Sequence, residues 1–309
     1  MKTMTTHTRR RFVLPGIVLV AALLAGCAQE PQPRALVAPA DDECLAGIGA
    51  GVHALECEGL RLQLAAPEMC PANGCGVIVD VHGFGMDAQL QDMHTELSRL
   101  GPEHGYVVVQ PSAPGERGEA AWSPDHDTQV HALLSRVIEG YDLDRDRVHM
   151  TGYSQGGFMT WRFLCEHADM LASVAPNAAG VRDGYSCEFA EDRMPASEVP
   201  VLQVHGTTDG LVPLASAEAM REAVRQAWAL DEVHTLIDEP DYTWTRYRNN
   251  RGTVYEFVQF DWETDFALDD RPLGGHCFPG SDAFLGCGAD TAFHWGEAVI
   301  AFFREHPVR

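Results

Sequence analysis

Gly152-Tyr153-Ser154-Gln155-Gly156-Gly157 sets a serine between glycines, where an apolar run gives way to a helical pattern. A serine hydroxyl attacks a carbonyl well only when the backbone presents it and a base takes its proton. The G-x-S-x-G spacing meets the first need. Glycines let strand and helix approach closely, and the serine Oγ then stands exposed on a sharp turn. A plain strand-to-helix turn can carry the same string, so the setting and the partners decide. Gln155 opens the helix, and its N–H can donate to an oxyanion with the helix dipole behind it.

The base and its orienting acid should follow in the order Ser, Asp, His. Asp209, in His205-Gly206-Thr207-Thr208-Asp209-Gly210, comes just after an apolar run ending near His205. A turn-forming Asp-Gly pair is the competing reading. Asp238 and Asp241 are weaker alternatives, since neither follows a clear strand. Of 14 histidines, His276 in Leu273-Gly274-Gly275-His276-Cys277-Phe278-Pro279-Gly280 lies in a loop before the last helix. His294 falls within that helix, and His205 is a strand-end residue. The second oxyanion donor should come from the loop after an early strand, and the Phe84 N–H of His82-Gly83-Phe84-Gly85 occupies that place. Trp122 either lines the site or packs as an ordinary aromatic. Tyr153, beside the nucleophile, is a further candidate substrate contact.

These residues need a frame. Apolar or β-branched runs predict strands over 60–66, 76–82, 106–110, 147–153, 171–175, 199–205 and 253–261. Helical periodicity predicts helices over 131–141, 155–167, 216–230 and 291–305. Near-continuous apolar strands alternating with helices imply an α/β fold: a mostly parallel central sheet with helices on both faces. Ligands then bind at the carboxyl ends of the strands, where all the residues above fall.

Other constellations carry less. Asp142, Asp144 and Asp146 imitate the start of a calcium loop, but Arg147 stands where glycine is needed and Tyr153 where glutamate is. Asp125-His126-Asp127 suits helix capping better than metal. The sequence lacks the zincin, P-loop and dinucleotide motifs. No metal or other cofactor is expected.

The 309-residue chain has a formal charge of -23, which argues against nucleic acid or an anionic lipid surface as partner. Lys2, Arg9, Arg10 and Arg11 precede an apolar run over 12–25, and no acid occurs before Glu30. This is the pattern of an export signal over residues 1–26, and it is short for a membrane span. Leu24-Ala25-Gly26-Cys27 resembles a bacterial lipobox, which would make Cys27 a lipid-attachment site and the only membrane link. Ordinary secretion is the alternative. Thr8-Arg9-Arg10-Arg11-Phe12 resembles a twin-arginine signal. Residues 27–42, with three prolines and several alanines, read as a tether, and 43–309 as one catalytic domain. Eight cysteines remain after Cys27, an even number that suits disulfides in an exported chain. Neighbours pairing in order (44–57, 70–75, 165–187, 277–287) is the expectation, although sequence leaves other pairings open.

The ordered set HGFG (82–85), GYSQGG (152–157), HGTTDGLVP (205–213) and GGHCFPG (274–280) resembles the polyhydroxybutyrate depolymerase and feruloyl esterase family of α/β hydrolases. Residues 144–157 and 165–169 are also similar, so the likeness spans nearly all of the domain. It implies the α/β-hydrolase fold, Ser154, Asp209 and His276 as a triad, and cofactor-free hydrolysis of carboxylic esters. The expected substrates are aryl, acetyl or hydroxyalkanoate esters. Departures fall beside the acyl pocket. Phe84, Gly85 and Met86 replace the family's cysteine and glycine-glutamine, Cys277-Phe278 replaces Thr-Trp, and Trp122 alone represents a tryptophan-rich loop. A serine peptidase of the same fold and a surface-anchored binding protein without catalysis are the rival readings.

Overall fold

In the computed structural model of the protein, residues 32–187, 189 and 194–308 are described. The predicted signal over 1–26 and the lipid-attachment residue Cys27 lie outside them.

Ten strands form the central sheet: β1 (Gly51–Cys57), β2 (Leu60–Ala66), β3 (Gly76–Val81), β4 (Tyr106–Ser112), β5 (Val148–Tyr153), β6 (Ser173–Asn177), β7 (Val201–Gly206), β8 (Glu232–Asp238), β9 (Tyr242–Arg248) and β10 (Val254–Phe260). Their order across the sheet is β8-β9-β10-β7-β6-β5-β3-β4-β2-β1. The inner strands β10, β7, β6, β5, β3 and β4 run parallel, and antiparallel pairs extend both edges.

Alternation along the strands divides the core. Val77, Val79 and Val81 face one side, where they join helices α3 (Asp127–Tyr141), α4 (Gln155–Glu166) and α5 (Leu214–Trp228). Ile78 and Val108 face the other side, which is covered by α1 (Ala88–Thr95), α2 (Leu97–Glu103) and α6 (Trp295–Glu305). Strands β3 to β7 are buried on both faces, which is why they read as unbroken apolar runs.

Several elements differ from the sequence expectation. Strand β1, the β8–β9 hairpin and helices α1 and α2 carried no clear pattern. The last helix starts at Trp295, four residues late, so His294 is its extended N-cap rather than an interior residue. Residues 34–42, expected to belong to a tether, are tied to the body. Arg34–Ala35 pairs with Met69–Cys70, Arg34 meets Asp142, and Asp42 accepts from Arg136 at 2.8 Å. The disulfides are Cys44–Cys57, Cys70–Cys75, Cys165–Cys187 and Cys277–Cys287, in sequential order. Among the described residues, no helix is long and apolar enough to cross a membrane.

A buried carboxyl lies beneath the site. Asp80 on β3 accepts from Gln91 Nε2 (2.6 Å), Thr95 Oγ1 (2.8 Å) and Gln110 Nε2 (2.9 Å). Burial raises its pKa from 3.8 to about 6, against the opposing effect of these donors. Ionisation therefore costs the fold nothing well below pH 4, progressively more between about pH 4 and 6, and a constant amount above that. The full cost is about 3 kcal/mol. Asp80→Asn cannot ionise, so its stability relative to wild type should rise by up to about that amount between pH 4 and pH 7. Urea denaturation at both pH values measures this; a difference that stays constant with pH refutes it.

Candidate active site

Strand β5 ends at Tyr153 and helix α4 begins at Gln155, which leaves Ser154 alone on the turn. Its backbone is left-handed at φ 53° and ψ -112°. Such a conformation costs a non-glycine residue about 1–3 kcal/mol and persists only where the surroundings impose it. Here Ser154 N–H donates to Asn177 O at 3.0 Å, and Ser154 O accepts from Phe158 N–H at 2.9 Å. The flanking glycines make the turn sterically possible. A Cβ on Gly156 would overlap Val81 O, and one on Gly152 would overlap the Gly156 carbonyl.

Ser154 Oγ lies 3.0 Å from His276 Nε2, and His276 Nδ1 lies 2.8 Å from Asp209 Oδ2. With the imidazole neutral, Nδ1–H donates to the carboxylate and Nε2 accepts from the serine hydroxyl. The other carboxylate oxygen, Asp209 Oδ1, accepts the N–H groups of Leu211 (2.9 Å) and Val212 (2.7 Å). Asp209 and His276 are buried. His205 borders the acid at 3.4 Å, but its Nε2–H donates to Val212 O at 2.8 Å, and burial lowers its pKa. It is a neutral neighbour. The Asp209 loop and the His276 loop meet backbone to backbone. Gly206 and Gly275 touch where no side chain fits, and Gly210 N–H donates to Leu273 O at 3.0 Å.

Tyr153 is buried, and its hydroxyl donates to His276 O at 2.8 Å. Its ring packs on Phe278 at 4.0 Å. It therefore supports the His276 loop from below, although it also borders the cavity described next. Trp122 is only 3% exposed and is absent from that cavity's lining. Its indole N–H donates to His82 O at 3.1 Å and its backbone N–H to Gln155 Oε1 at 3.0 Å. One residue thus spans the two segments that carry Phe84 and Gln155. Among the described residues, neither the Phe84 N–H nor the Gln155 N–H meets a protein acceptor.

The sequence marks His82 only as part of a glycine loop. Its Nδ1–H donates to Gly83 O at 2.6 Å, and its Nε2 accepts from Ala113 N–H at 2.9 Å. Burial lowers its pKa to about 4, so the ring stays neutral and keeps both bonds at physiological pH. Gly85 N–H donates to Ala120 O at 2.8 Å and ties the same loop from the far side. Trp122→Phe deletes the bond to His82 while keeping a smaller aromatic ring in place. Ester-hydrolysis kcat should fall about tenfold with KM within about twofold, less than the 10²–10³ of a deleted oxyanion donor. A rise in KM at unchanged kcat would instead make Trp122 a substrate contact.

A cavity of about 300 Å³ opens beside Ser154 and His276. Among the described residues, no cluster of three or more His, Cys, Asp or Glu could hold a metal. The Asp125-His126-Asp127 run disperses. His126 Nδ1 accepts from Ser123 N–H in a capping box, and Asp127 does not cap but pairs with buried Arg162 at 2.5 Å. Asp142 and Asp144 are taken up by Arg34 and by Asn73 Nδ2.

A mostly parallel sheet covered on both faces, with a serine on the sharp turn after one strand and histidine and aspartate on later loops, is the α/β-hydrolase fold. The model of the phospholipase/carboxylesterase family matches residues 106–246. The chain is 28% identical over 60% of its length to the bifunctional acetylxylan esterase/xylanase XynS20E of Neocallimastix patriciarum, of which the match covers 28%. It is 26% identical over 66% of its length to the poly(3-hydroxyoctanoate) depolymerase of Pseudomonas fluorescens, covering 82% of that protein. The match spans less than half of the xylan esterase/xylanase and 44% of the putative esterase NocK of Nocardia uniformis subsp. tsuyamanensis. Among solved structures, the acetyl xylan esterase from Aspergillus awamori aligns with a TM-score of 0.54 at 14% identity, over 68% of this chain and 93% of that one. A thermostable esterase aligns at 0.53 and 14% identity, over 83% and 62%.

Proposed function

We propose that the protein is an exported serine hydrolase of carboxylic esters, with Ser154 as nucleophile, His276 as base and Asp209 as orienting acid. The observation that carries this reading is the hydrogen-bonded series from Ser154 Oγ through His276 to Asp209. His276 Nε2 takes the hydroxyl proton as Oγ attacks the ester carbonyl. The carbonyl oxygen becomes an oxyanion and accepts from the Phe84 and Gln155 N–H groups. Collapse expels the alcohol, which takes its proton from His276 Nε2. Water then attacks the acyl-enzyme with His276 again as base, releasing the acid and free Ser154. Asp209 holds Nδ1–H throughout and stabilises the charged imidazolium. Acetyl, aryl and hydroxyalkanoate esters are the substrate classes in view, and no cofactor enters the reaction.

Four disulfides fit folding in an oxidising compartment. The catalytic unit is residues 43–309, with 34–42 packed on it, and Cys27 carries the lipid. Mass spectrometry of mature protein from its native host tests the last point, since an unacylated N-terminus removes the anchor. The activity is tested by comparing p-nitrophenyl esters with peptide anilides. Ester turnover should dominate; cleavage of anilides at equal or greater efficiency would replace the esterase with a peptidase.

A further inference from the structure

The cavity beside Ser154 is apolar to an extent that the chemistry of the triad does not require. Met86, Leu90, Leu273 and Leu285 form its buried wall. Its mouth is ringed by Phe84, Phe266, Leu268 and Phe284, which are 47%, 39%, 40% and 51% exposed. Large apolar side chains so exposed and so clustered mark a surface that meets an apolar ligand. Phe266 and Phe284 pack edge to face at 5.4 Å, so this part of the ring is preformed. Phe266 and Leu268 stand on a short ribbon, Thr264–Leu268 paired with Arg271–Gly274, that runs directly into the loop of His276.

The polar side chains of the lining are engaged in large part. The Tyr153 hydroxyl is taken by His276 O. Arg117 turns its guanidinium to Asp87, at 2.6 and 2.9 Å. Arg117 keeps its Nη1 for the exposed rim, but against the buried wall a phenol, a carboxylate or a sugar hydroxyl would lose water without gaining a side-chain partner, which is costly. The volume of about 300 Å³ corresponds to roughly ten water-sized atoms. An acetyl group fills less than a third of that.

We propose that the cavity takes one arm of the ester as an aliphatic chain of about eight carbons, with Phe266 and Leu268 as specificity-determining residues at its mouth. This rests on Ser154 being the nucleophile, and it narrows the substrate classes to esters with a medium-length aliphatic acyl or alcohol arm, over esters with two short arms and over hydroxylated aryl ones.

The test uses the whole protein and two substrate series: p-nitrophenyl esters from acetate to dodecanoate, and alkyl acetates from methyl to octyl. In one of them kcat/KM should climb about two- to fourfold per methylene up to about eight carbons and then decline. Methyl ferulate should fall below the optimum by more than about tenfold. The double variant Phe266→Ser, Leu268→Ser changes exposed positions only and should lower the eight-carbon to two-carbon ratio about tenfold. Both series flat or falling from two carbons would overturn the proposal, as would an unchanged ratio in the variant. Labelling of Ser154 by a fluorophosphonate is read in parallel. Labelled protein with flat series sinks the aliphatic site alone, whereas unlabelled protein sinks the hydrolase reading beneath it.

Discussion

Ser154→Ala is expected to lower kcat for p-nitrophenyl ester hydrolysis by about 10⁴–10⁶-fold and to abolish fluorophosphonate labelling. That loss corresponds to about 5–8 kcal/mol of transition-state stabilisation. Among the described residues, no other hydroxyl hydrogen-bonds to His276 Nε2, so no neighbour replaces the missing Oγ. The fold should hardly change. The substitution removes one oxygen from a partly exposed turn whose backbone bonds to Asn177 and Phe158 remain. Residual activity should reflect the oxyanion donors and binding alone. A variant that keeps more than about a tenth of wild-type turnover, with an unchanged circular-dichroism spectrum, would remove Ser154 from the mechanism.

Asp209→Asn is expected to cost about 10⁴-fold in kcat, for a reason specific to this acid loop. Two backbone donors, the N–H groups of Leu211 and Val212, converge on Asp209 Oδ1. In the variant they select the amide oxygen for that position and turn the NH₂ group toward His276. His276 Nδ1 must then accept, which moves the ring proton to Nε2, where it blocks acceptance from Ser154. The ring stays in place with the wrong tautomer. Stopped assays should therefore show a large fall in kcat with KM within about threefold. Loss of less than about tenfold would mean that Asp209 serves only to shape the turn.

The parallel heart of the sheet was readable because burial on both faces demands unbroken apolar strands, as in β3 and β4. The edges were not. Strand β8 is exposed almost throughout, so Val233, Leu236 and Ile237 follow no alternation, and only its ladder with β9 defines it. Helix α1 turns Gln91 and Thr95 inward to Asp80, so its inner face is polar and its period is hidden. The order of Ser154, Asp209 and His276 along the chain was visible, and each stood after an apolar run or in a glycine-rich loop. The distances between them were not, because the contacts span 67 and 122 residues. Trp122 and Tyr153 illustrate a different limit. An aromatic near a nucleophile reads as a substrate contact; each donates its polar hydrogen to a main-chain carbonyl, of His82 and His276 respectively, and of the two only Tyr153 also borders the cavity. Only coordinates reveal where such a hydrogen goes.

Cys277 follows His276 directly in the chain and is bonded to Cys287. The imidazole is thus one peptide unit from a covalent anchor. A newly made chain with free thiols would hold the same three reactive side chains but would lack the anchor that limits drift of the base. Oxidative maturation and full turnover should then arise together, so a precursor still in a reducing environment would be a poor catalyst. Under the export proposed above, the cell making it would be spared indiscriminate cleavage of its own esters until the protein reached an oxidising compartment.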